Sequence, residues 1–134
     1  MIYCYGVTAL SRILRLQRNF PGPNGYAEVV ESADNIGGEA GGTAMCLARF
    51  GHKVVLDGLK VSRQGGRWAL GQLARKGVDA SRIASPRTRV GAVETVYSDD
   101  TTRTVFANYV STFADPSQMN RPSESLIRKA SHVT

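Results

Sequence analysis

A chain of 134 residues is long enough for one domain with a real core and too short for two of ordinary size. Its apolar content of 42% suits a globular protein, no run reaches the roughly 18 apolar residues of a membrane span, and the N-terminus lacks a basic-then-apolar signal pattern, which predicts a cytoplasmic location. The charge of +6 attracts polyanions, but the densest arginine groups, Arg12, Arg15, Arg18 and Arg82, Arg87, Arg89, are not interleaved with aromatics, so nucleic acid is not the expected partner.

In chain order, Ile2 to Thr8 reads as a strand buried on both faces. Arg12 to Leu16 partly alternates apolar and basic residues, as a strand with one wet face does. The cluster from Phe20 to Gly25 predicts a turn or loop, and Tyr26 to Val30 a return strand. After the glycine-dense passage Gly37-Gly38-Glu39-Ala40-Gly41-Gly42, the spacing of Ala44, Leu47 and Ala48 predicts a helix from about Gly42, closed by Gly51. Val54-Val55-Leu56 has the pattern of a central parallel strand. A second helix is expected from about Arg67 to Lys76, burying Leu70, Leu73 and Ala74 and ending at Gly77. This β-helix-β-helix order implies a parallel sheet.

Val90 to Tyr97 and Thr102 to Val110, joined by Ser98-Asp99-Asp100-Thr101, read as a hairpin. With the earlier strand pair it would form a small second sheet beside the core. Ala114-Asp115-Pro116 begins a loop, and Pro122-Ser123 starts a helix whose expected core face is Leu126, Ile127 and Ala130. Another buried strand is expected after it, so the chain reads as stopping in mid-architecture. Cys4 and Cys46 have neither metal-ligand nor disulfide spacing and are expected to be buried thiols. His52 and His132 read as surface residues, and Asp115 as a plain loop element.

The stretch Gly37 to Gly51, with its paired glycines, three spacers and a helix ending Leu47-Ala48-Arg49-Phe50-Gly51, resembles the first signature of the ribokinase, or PfkB, family of carbohydrate kinases. The segments Val54 to Gly58, Gly66 to Leu73, Gly77-Val78-Asp79, Thr88 and Asp99 to Thr104 follow in the family's order, so the resemblance covers about residues 1 to 110. It implies an α/β fold, a ribokinase-like parallel sheet core with a small β-sheet lid (strands at about 12–30 and 89–110), with residues 1–134 forming the N-terminal part and stopping before the C-terminal catalytic half. It also implies ATP-dependent phosphoryl transfer, with Mg²⁺, to a sugar hydroxyl, and a homo-oligomer clasped through the lids.

Carried onto this chain, the substrate-binding positions are Ser11, Gly37, Gly38, Gly42 and Arg63. Paired glycines let a backbone approach a polyol closely, and a helix N-terminus offers N–H donors. Ser11 stands where the family usually has an aspartate, Gly42 where it has an asparagine, and Arg63 where an acidic residue is common. These departures imply either an unusual, acidic substrate such as a sugar acid or a degraded site. The sequence contains no Gly-Ala-Gly-Asp, the motif that carries the family's general base and phosphoryl anion hole, so no catalytic residue and no ATP-binding residue is assigned. The alternative is a non-catalytic ligand-binding or oligomerisation module. The lid is expected to carry Ile13, Val29, Val93 and Phe106 on one apolar face that a partner would cover.

Overall fold

A computed structural model describes residues 1–62, 66–85 and 91–134. The elements run β1 (Ile2–Gly6), β2 (Ala9–Leu16), β3 (Val29–Gly37), α1 (Glu39–Arg49), β4 (Val54–Gly58), β5 (Val61–Ser62), α2 (Arg67–Arg75), β6 (Val78–Asp79), β7 (Ala84–Ser85), β8 (Ala92–Ser98), β9 (Arg103–Ala107), α3 (Tyr109–Phe113), a 3-10 turn (Pro116–Gln118), α4 (Glu124–Lys129) and β10 (His132–Val133). Three sheets organise them. The first is wholly parallel in the order β10-β1-β4-β6, the second is mixed in the order β3-β2-β8-β9, and β5 pairs with β7.

The parallel sheet holds the main core. All five residues of β4 are buried, the apolar run Val54-Val55-Leu56 as a strand between two covered faces should be, and Asp57 with them. Cys4, Leu56, Val54, Leu73 and Ile83 are enclosed with Ala44 of α1 and Ala69 of α2. Burying a side chain such as Leu56 or Leu73 contributes about 1.5–3 kcal/mol. Gly51 and Gly77, at φ 85° and 80°, follow the ends of α1 and α2 in the left-handed conformation expected of helix-closing glycines.

The mixed sheet joins the two expected strand pairs through parallel pairing of β2 with β8. Its return strand is not Tyr26 to Val30: it starts at Val29 and runs to Gly37. The polar stretch Glu31 to Asn35 becomes a strand because β2 supplies a full antiparallel ladder, which outweighs its weak intrinsic preference. At the other edge the strand ends at Ala107, and Tyr109–Phe113 is helical instead of extended to Val110. Asn108 makes that break, its side chain accepting from the Val93 amide and donating to the Gly91 carbonyl.

Alternation divides the apolar residues expected on one lid face. Ile13 shares a face with Ala33, Val96 and Val105, whereas Val93 and Phe106 stand on the other with Leu10, Arg12 and Thr95. Phe106 meets Phe20 and Tyr97 with ring centroids 6.2 and 5.7 Å apart.

Four further expectations are corrected. α1 starts at Glu39, because Gly38 at φ 77° turns the chain into the helix four residues before Gly42. In α2, Leu73 is buried but Ala74 is exposed and Ala69 takes the inner position. In α4, Leu126 and Ala130 are only half-buried and Ile127 is exposed, since this short helix lies outside both core clusters. Cys4 is buried, but Cys46 is exposed, lying two positions beyond Ala44 and so away from the inner face of α1. A strand does follow α4, β10, adding to β1 in parallel, but its two residues are exposed and not buried as expected.

Candidate functional site

A pocket of about 290 Å³ opens between the mixed sheet and α2, lined by Leu10, Arg12, Asp34, Val93 and Thr95, by the flanking Ser11, Asn35 and Glu94, and by Trp68. The register explains the grouping. Leu10 lies opposite Ile36 and Val93, and Arg12 opposite Asp34 and Thr95, so these side chains project from one face of β3, β2 and β8. Leu10 and Ile36 pack onto the main core and anchor that end of the face.

The pocket's charged groups form a two-pronged pair. Arg12 Nε donates to Asp34 Oδ1 at 2.7 Å and Nη2 to Oδ2 at 3.1 Å. Both side chains remain substantially exposed. The guanidinium holds the Asp34 carboxyl below its ordinary range, so it is ionised at neutral pH. The pocket thus presents an oriented carboxylate, a guanidinium with Nη1 unbonded among the described residues, the Thr95 hydroxyl and the Trp68 ring. This set suits a polyol: acceptors and donors for hydroxyls, and an aromatic face for an apolar ring surface.

Ser11 and Gly37 come together on the opposite face. Ser11 is buried and bonds Glu94, whose other carboxylate oxygen accepts from the Tyr109 hydroxyl. Burial first, then the Glu94 carboxylate, drives the Tyr109 phenol well above its ordinary value. A Cβ at Gly37 would overlap the Ser11 hydroxyl and the Glu94 carboxylate. Glycine there makes room for neighbouring protein groups.

Gly38 has φ 77°, and a Cβ on it would overlap the Val7 carbonyl. That carbonyl accepts from the amides of Ala40 (3.1 Å) and Gly41 (3.3 Å). The first turn of α1 is therefore partly satisfied within the protein and does not offer the open set of donors expected from the sequence. Gly42 faces open space, with nothing within 4 Å of where a Cβ would lie. Arg63 falls outside the described residues, as do Arg87, Arg89, Thr88 and Val90.

Sequence reading missed Arg12, Asp34 and Trp68 as one group, and also a buried centre at Asp57. Asp57 Oδ1 accepts from the Gly58 amide (2.8 Å) and Asn120 Nδ2 (2.8 Å), and Oδ2 from the Tyr3 hydroxyl (2.7 Å) and Arg82 Nε. Burial alone would raise its pKa, but these four donors outweigh it and hold the carboxyl below its ordinary value. The Tyr3 phenol is pushed up to about 12, chiefly by burial. This centre ties β1, β4 and the segments around Arg82 and Asn120 together.

Two members of the basic groups are thereby paired, Arg82 with Asp57 and Arg12 with Asp34, and Arg15 lies 3.4 Å from Asp100. Asp115 caps the 3-10 turn by accepting from the Ser117 amide. Among the described residues no group of three or more His, Cys, Asp or Glu could hold a metal ion, and no helix is long and apolar enough to cross a membrane. Nothing among the described residues shows a cofactor site.

No family model and no curated protein matches the sequence. Solved structures do. A candidate ribokinase from Agrobacterium tumefaciens matches 98% of this chain at TM-score 0.80 and 22% identity, over 42% of its own length. Ribokinase from Cryptococcus neoformans, solved with ADP, matches 80% at TM-score 0.67 and 18% identity, over 33% of its length. The nucleoside kinase of Methanocaldococcus jannaschii, an archaeal member of the ribokinase family, matches 81% at TM-score 0.63 and 23% identity, over 36% of its length. The chain thus spans a third to two-fifths of the proteins it matches, and across that span it has the fold of ribokinase-family kinases.

Proposed function

We propose that this chain is the substrate-side and lid portion of a carbohydrate or nucleoside kinase, binding the hydroxyl-bearing acceptor in the pocket between the mixed sheet and Trp68. The observation that carries this reading is the Arg12–Asp34 pair facing that pocket, within a fold shared with sugar and nucleoside kinases. In the complete family reaction ATP, as its Mg²⁺ complex, would supply the phosphoryl group and leave as ADP. This chain's contribution is to hold the acceptor and keep water from competing with it. Ser11, Gly37 and Gly38 support the site from behind, by letting the sheet, Glu94 and the α1 turn approach closely.

The isolated chain is expected to bind a polyol without transferring phosphate, because positioning and charge stabilisation provide most phosphoryl-transfer catalysis and the sequence contains no Gly-Ala-Gly-Asp, the motif that carries the family's base and anion hole. A coupled assay for ADP release with a panel of sugars and nucleosides tests this. Robust ATP-dependent turnover by pure chain would refute the division of labour.

Assembly through the lid is a second part of the reading. It is supported by the exposed apolar side chains of Phe20, Val29, Val30, Val105 and Phe106, which are distributed over both faces of the mixed sheet and its connecting loop.

A further inference from the structure

We draw no further inference here: the strongest candidate, the groove of about 550 Å³ between α1 and the outer strand β10, lined by Ile2, Leu47, His52, Lys53 and His132, carries none because nothing among the described residues shows what covers it.

Discussion

Replacing Asp57 by Asn changes no volume and removes one charge from the most enclosed polar centre of the fold. Each oxygen of Asp57 receives two donors, Gly58 N and Asn120 Nδ2 at one, Tyr3 Oη and Arg82 Nε at the other. Whichever oxygen becomes an NH₂ group, two donors then face a donor. At about 1–3 kcal/mol for each buried group left unpaired, two such groups would cost up to about 6 kcal/mol. The Arg82 side chain is 37% exposed and recovers water, which brings the expected loss down to about 2–4 kcal/mol. Urea unfolding at pH 7 measures it, with Asp100→Asn on the exposed hairpin turn as a control expected to stay within about 0.5 kcal/mol.

The pH dependence has a definite sign. The folded Asp57 pKa lies below the ordinary 3.8, so its contribution is fully present above about 3.9 and is lost as pH falls through the depressed folded value. The gap between wild type and Asp57→Asn should therefore narrow only in strong acid. A loss below about 1 kcal/mol at pH 7, or a gap unchanged between pH 7 and the acid limit, would refute the claim that this carboxylate ties the sheet to the segments around it.

The glycines separate into two predicted behaviours. Gly42→Ala should stabilise the chain by about 0.5–1 kcal/mol, since it lies inside α1 with open space around it, while Gly38→Ala should destabilise it by at least about 1–2 kcal/mol through its positive φ and the Val7 carbonyl; thermal melts distinguish them. For the same reason Gly38→Val would disturb the fold before it reported on ligand binding. Sedimentation over a wide concentration range should show self-association, weakened by Phe106→Ser. A stable monomer throughout would remove the lid-mediated assembly.

Much of the fold was legible because its signals are local. Val54-Val55-Leu56 is a run that a doubly covered strand satisfies, Gly51 and Gly77 mark helix ends, and Asp99 makes its own turn by accepting from the amides of Thr101 and Thr102. The strand through Glu31 to Asn35 was not legible, because its polar side chains show no period and its order comes from β2 across the loop. The glycine passage was recognisable as a tight approach, but what approaches it, Val7, Ser11 and Glu94, depends on register.

The Arg12–Asp34 pair did have a sequence signal. The two residues are equally far from Pro23, so treating the Phe20 to Gly25 cluster as the centre of a hairpin would have set them opposite one another. Reading Tyr26 to Val30 as the return strand hid that symmetry. Trp68 had no such signal, since its place at the pocket depends on how α2 packs beside a sheet built from distant segments.

The most direct test of the central claim is to map where a polyol binds, by backbone and indole chemical-shift changes of the intact chain titrated with D-ribose and inosine. The account predicts changes concentrated at Leu10 to Arg12, Asp34, Thr95 and the Trp68 indole. Changes confined to the separate groove lined by Ile2, Leu47, His52 and His132 would contradict it.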